Sequence, residues 1–425
     1  MSPTVRCFAL VSFVVASIGG NAIAQTANPA GAPPAPDATQ PAAPPPPEMA
    51  APPPMAPPPP AAPQGPPKIE GPGGTIRIGL LTQAQYQALG SNTLEGNDQN
   101  LYLRRIRFIV GGTLLKDFEY FFLTDFPNLF LAPNSTMSPL VKNNPGMNVQ
   151  DVMITYKVMG EQLKIDAGYM LPPLAHNSLQ SAASLLSWDY YVYTFTSGAA
   201  FGNAFGRDTG VQVRGLVLDN HLEYRVAMLN GVRRGEAGNN VGGRNFFRVT
   251  GRVQVNLLDP ETGFFYGGTY LGAKRILSVG GSFDFQDGGA NTGPSYKYWA
   301  VDAIADLPVG PGVLSAQVNY AQWNTSGSTT FIDVPKQSAI MADAGFIFTD
   351  LKFSPIVRFE KRSVPGGGTM ALPNETRYAG GVAFWAFGHT SNLKAFYTRI
   401  HDEAPGVTAF HDFNQVNIQW QLFFY

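Results

Sequence analysis

Residues 245–257, NFFRVTGRVQVNL, alternate in character with period two. Phe247, Val249, Gly251, Val253, Val255 and Leu257 fall on one face. Phe246, Arg248, Thr250, Arg252, Gln254 and Asn256 fall on the other. Successive side chains on a strand point to opposite sides, so this is a strand with one apolar and one wet, basic face. Roughly ten residues suffice for a tilted strand to cross a bilayer. The pattern recurs, punctuated by turn residues, from Thr75 to Tyr425. It predicts an all-β fold: a transmembrane antiparallel β-barrel.

The alternation predicts about sixteen strands, an even number as bacterial barrels use. They span 75–87, 99–116, 117–126, 149–158, 162–170, 207–218, 221–230 and 244–257. The second half gives 273–286, 295–307, 312–323, 335–349, 352–363, 375–387, 392–402 and 412–425. Tight turns at Lys116-Asp117, Met159-Gly160-Glu161, Asp219-Asn220, Thr349-Asp350 and Gly388-His389-Thr390 alternate with longer links. Those links cover 88–98, 127–148, 171–206, 231–243, 324–334 and 364–374. Such sorting matches periplasmic turns opposed to extracellular loops. One link fits poorly: 258–272 stands where a short turn is expected, yet contains FFYGGTY.

Composition adds what the pattern omits. No run of eighteen apolar residues follows the N-terminus, so no spanning helix is expected. Arg6, an apolar stretch over 7–18 and Ala22-Ile23-Ala24 read as a signal peptide over 1–24. Cys7, the single cysteine, would leave with it, closing disulfide, thiolate-metal and cysteine-nucleophile chemistry. Residues 25–74 read as a Pro/Ala-rich disordered periplasmic tether, because proline withholds backbone donors and the segment has no core to bury. It is either a spacer reaching the cell wall or a leader without a partner. The barrel then occupies 75–425. Without Arg6, Lys68, Asp37, Glu48 and Glu70, 27 cations face 27 acids, and a neutral barrel does not suggest a nucleic-acid partner.

Several short motifs carry a resemblance. Leu103-Arg104-Arg105-Ile106-Arg107 leads to Gly112-Thr113-Leu114 and then Phe118-Glu119-Tyr120. Asp166-Ala167-Gly168-Tyr169 runs into Pro172-Pro173, and Gly206-Arg207-Asp208-Thr209-Gly210 and Asn230-Gly231 follow in order. In these the chain resembles the phosphate-selective porin O and P family. The resemblance implies a sixteen-stranded channel in the outer membrane of a Gram-negative bacterium, in contact with its lipid and usually a homotrimer. It implies passage of small anions or other small solutes, and no cofactor.

In porin-like barrels the loop after the fifth strand folds inward, which here is 171–206. Trp188, Asp189, Tyr190, Tyr191 and Tyr193 are the candidate constriction. On the wall, Arg105, Arg107, Arg214, Arg225, Arg248, Arg252, Lys274, Arg358, Arg377 and Lys394 are candidate pore-lining cations. Asp166, Glu223, Asp284, Asp302, Asp343, Glu360 and Glu375 share the wet face. Such charges either set ion selectivity or pair with one another and stiffen the wall. The chain departs from the family's phosphate-specific pattern, because no Arg or Lys lies between Leu171 and Gly206. Dehydrating phosphate needs dense cationic donors, so the expected function is passive diffusion with weak anion preference. The alternatives are a structural or adhesive barrel with a plugged pore, or a barrel enzyme. Against an enzyme, His176, His221, His389, His401 and His411 accompany no serine in a nucleophile-elbow pattern.

Overall fold

A computed structural model describes residues 67–91, 97–131, 144–195, 206–231, 246–287, 295–325, 336–369, 372–403 and 412–425. The signal and most of the Pro/Ala-rich segment lie outside the described residues. The strands run β1 (Lys68–Gly71), β2 (Gly74–Ser91), β3 (Asn97–Leu114), β4 (Phe118–Asp125), β5 (Asn148–Lys157), β6 (Lys164–Met170), β7 (Asp208–Val217), β8 (Leu222–Leu229) and β9 (Arg248–Asn256). They continue as β10 (Ile276–Gln286), β11 (Tyr296–Val309), β12 (Gly312–Asn324), β13 (Gln337–Phe348), β14 (Phe353–Ser363), β15 (Gly368–Thr369), β16 (Leu372–Phe384), β17 (Ser391–Glu403) and β18 (Asp412–Phe424).

Of these eighteen, β1 pairs only with β2 and the two-residue β15 only with β16; the other sixteen close an antiparallel ring. Each strand pairs with its chain neighbours, and β18 shuts the ring against β2 through Phe413–Phe424 and Leu80–Ser91. The expected strands reappear within a few residues. The start differs. Lys68–Gly71, read from its composition as tether, pairs with Gly74–Arg77 because Gly71 to Gly74 allows a tight reversal.

The two faces follow the alternation that the sequence sets. On β9, Arg252 is 2% exposed while its neighbour Val253 is 50% exposed. The outward ring is largely apolar: Phe108, Ile154, Val226, Val279, Trp299, Val357 and Trp420 all face out. Turns close one end with left-handed backbone, as at Asp219 (φ 55°) and Asn220 (φ 69°) between β7 and β8. Most of the longer links at the other end lie outside the described residues. No helix among the described residues is long and apolar enough to cross a membrane. The crossing is made by strands.

Candidate functional site: the barrel lumen

Two segments enter the ring from opposite ends. The first follows β6 and carries a single helical turn, α1 (His176–Leu179). Its backbone hangs on side chains of the wall. Arg252 donates to the Leu174 carbonyl (3.1 Å), Gln421 to Ala183 (2.8 Å) and Lys394 to Leu185 (2.6 Å), while the His176 amide donates to Asp302 (3.0 Å). The second is the 257–275 link between β9 and β10, expected as a turn. Phe264, Tyr266 and their neighbours are too apolar to lie in water at a turn, and the link folds inward to bury them.

The two segments meet backbone to backbone. The Tyr266 amide donates to Leu179 (2.9 Å), the Ser181 amide to Tyr266 (2.9 Å) and the Thr269 amide to Ser184 (3.0 Å). His176 pairs with Glu261 at 2.8 Å, and its ring stacks on Tyr266 at 4.6 Å. Burial opposes ionisation of Glu261, but His176 together with donors on Tyr270 and Gln254 outweighs it and holds the carboxyl below its usual range. The joint is a buried polar network with its acceptors occupied.

Every expected wall cation on a strand points inward, and all but Lys394 meet a carboxylate there. Arg107 bonds Asp125 (3.0 Å), Arg214 bonds Asp166 (2.7 Å) and Arg225 bonds Glu223 (2.6 Å). Arg248 bonds Asp284 (2.5 Å) and Asp208 (3.3 Å), and Arg252 bonds Asp302 (2.6 Å). Arg358 bonds Glu360 (3.3 Å) and Arg377 bonds Glu375 (2.5 Å). Among the described residues, Lys394 bonds only the carbonyls of Leu185 and Ser187. Lys274 stands apart: it lies in the inward link, not on a strand, and donates to Pro260 (3.0 Å) over the Tyr270 ring.

The expected constriction residues all lie inside the ring. Asp189 takes Arg104 (2.8 Å) and Arg105 (2.5 Å). Burial pushes its pKa up, but the two guanidiniums more than reverse that and hold it well below the ordinary range. Trp188 packs on Phe396 and under Arg358. The Tyr191 amide bonds Asn177, and the Tyr193 hydroxyl donates to Glu375. Tyr191 and Tyr193 thus join the packing against β11 to β13. Trp188 and Asp189 stay partly exposed, while Tyr190 lines a cavity.

That space lies along β2 to β5 and β7. One cavity of about 200 Å³ touches Leu81, Arg107, Ile109, Tyr190 and Arg207. A second, of about 380 Å³, touches Arg77, Glu119, Thr155 and Arg214. They share Phe121, Phe265 and Tyr425. Phe121 lies 5.4 Å from Phe265 and 6.0 Å from Tyr425 between ring centres, so three aromatics form a waist between the cavities. Sequence reasoning missed this waist. Its one signal was the overlong aromatic link at 258–272.

Residues 76–255 match the family described as "Phosphate-selective porin O and P". No curated protein matches the chain. Among solved structures, OprB of Pseudomonas putida superposes with TM-score 0.54 at 11% identity, over 82% of this chain and 94% of that one. The outer membrane channel DcaP of Acinetobacter baumannii gives 0.53 at 11%, over 85% and 100%. An anion-selective porin from Comamonas acidovorans gives 0.51 at 10%, over 83% and 100%. At such identities the likeness is one of fold.

Proposed function

We propose that this chain, an outer-membrane barrel of the phosphate-selective porin O and P family, is a passive channel for small solutes with a weak preference for anions. The supporting observation is the pair of cavities joined at Phe121, Phe265 and Tyr425, which lie beside the packed inward segments. Arg77, Arg107, Arg207 and Arg214 line them, and the last three are each paired to an aspartate. Paired cations leave a shallow positive potential, enough to bias small ions but too weak to strip a phosphate of its water. Planar-bilayer recording in a salt gradient tests this. The expected reversal potential is shifted modestly toward chloride and shrinks at high salt as screening grows. Block of chloride current by micromolar phosphate would overturn it.

One observation favours the second reading, a plugged structural barrel: the inward segments cover Arg225 and Arg252, whose guanidiniums donate to the Phe264 and Leu174 carbonyls, and leave both buried. Absence of any conductance in the same experiment decides for it. The homotrimer is proposed on the family's precedent, with outward Ala303, Ala305, Ala316, Ala342 and Ala344 flooring an apolar groove for a neighbouring subunit to fill. Cross-linking in detergent reads the subunit number. The Pro/Ala-rich leader is proposed to hold the barrel to the cell wall, which co-sedimentation with peptidoglycan checks.

A further inference from the structure

The inner wall is polar on β9, with Arg248, Thr250, Arg252, Gln254 and Asn256, and apolar on β11 to β13, where Tyr296, Trp323 and Met341 pack beneath Tyr191 and Tyr193 of the inward loop. On β2, β3 and β4 a second apolar stretch is covered only in part, by Ala182 and Ala183 of the inward loop, and a cavity remains beside it. Leu81, Ile109, Phe121 and Leu123 occupy inward positions and wall the smaller cavity, faced across it by Phe265. An apolar lining inside a water channel is unfavourable unless something apolar covers it. The cavity also has one charged end. Arg107 is buried and spends only its Nε on Asp125, so among the described residues its two terminal nitrogens have no partner while the side chain lines the cavity.

Charge counting at that end points the same way. Arg104 and Arg105 share Asp189, Arg107 takes Asp125 and Arg207 takes Asp151. Four guanidiniums therefore meet three carboxylates among the described residues, and the excess falls on the Asp189 pair, whose Arg105 lies close enough to act on Arg107. A planar carboxylate fits two guanidinium N–H groups side by side. The volume sets the size of what it carries. A cavity of roughly 150 Å³ accommodates a benzene ring, and this one measures about 200 Å³.

We propose that the smaller cavity is a binding site for amphipathic organic anions, specifically monocyclic aromatic carboxylates. The carboxylate meets the terminal nitrogens of Arg107, and the ring lies among Leu81, Ile109, Leu123 and Phe121, above the aromatic waist. Inorganic anions supply the charge without the apolar body, and neutral aromatics supply the body without the charge. This deepens the channel reading, because such a site on the lane would make the channel prefer these solutes over phosphate.

Benzoate is the probe. In planar bilayers, benzoate should interrupt the chloride current of the full-length protein at concentrations at least tenfold below those at which acetate, phosphate or benzyl alcohol do so. Calorimetric titration of benzoate into detergent-solubilised protein should show saturable binding. Arg107→Gln should weaken both readouts at least tenfold, Arg107→Lys less, and Leu123→Gln should weaken benzoate without changing acetate. Because Arg107→Gln strands Asp125, the double variant Arg107→Gln/Asp125→Asn is measured beside it and should show the same loss. Equal block by acetate and benzoate, or conduction with no benzoate binding, overturns the site and leaves the channel intact. Benzoate binding in a protein without conductance upholds the site and overturns the channel.

Discussion

Gly280 sits on β10 between Arg252 of β9 and Asp302 of β11, and the guanidinium reaches its carboxylate across that strand. A Cβ at 280 would overlap both groups. The absent side chain is what lets this pair form, and the pair in turn holds Leu174 and the His176 amide. Removing one partner from a buried pair costs roughly 3–5 kcal/mol, because the other charge stays buried alone. Arg252→Gln should therefore lower the temperature at which heat-modifiable migration is lost on gels, and Arg252→Gln/Asp302→Asn should recover part of the drop. An unchanged transition in the single variant would show the pair to be idle. One residue along, Val253 faces lipid, and Val253→Arg should cost about 2–4 kcal/mol near the midplane. The measurement is the folded fraction assembled into lipid vesicles; assembly equal to wild type would put Val253 on the wrong face.

His389 belongs to the same scale. Burial, then the nearby charge of Lys394, press its pKa down to about 4, although a hydrogen bond to the Thr269 carbonyl works the other way. Unfolded, the ring titrates near 6.5. The folded pKa is thus the lower one, so the neutral ring's contribution is complete above about 6.5 and disappears as pH falls through about 4. Since His389 touches the inward link at Thr269 (3.1 Å), single-channel current should grow noisier in that acid window. His389→Gln, which keeps a donor but does not titrate, should flatten the change. Identical pH profiles would assign the noise to another group.

Among the elements, the strands were legible because each is written in a two-residue period with a tight turn at one end. The inward links are not written that way. Residues 258–272 have no period, and their packing depends on partners such as Leu179 and Ser184 that lie far off in sequence. Only excess length and the FFYGGTY stretch betrayed them. The pairing of Arg107 with Asp125 or Arg214 with Asp166 was equally hidden, since it depends on register between neighbouring strands. Leu81 and Ile109 alternate in phase with polar inward neighbours, and nothing local marks them as the wall of a cavity. If the link is a removable filler, replacing 262–270 by a two-residue Asn-Gly turn should leave the ring folded and raise conductance several-fold. Wild-type conductance in that variant would mean the lane lies elsewhere.

For the whole molecule, the seam between β2 and β18 sets the order of events in manufacture. Gln85 bonds Asn417 across 332 positions of chain, so the first and last strands of the ring are partners. Closing so long a loop carries an entropic cost of order (3/2)RT ln n, repaid only when the final strand exists. The latch is the last strand of the ring, so the outward apolar face of the earlier strands has to be kept from water until that strand arrives. The inward segments add a second clause. Both must be swallowed before the latch drops, because a shut ring admits them only by threading. Biogenesis of this barrel is thus a packing problem solved before a closing problem, like a suitcase filled before it is fastened.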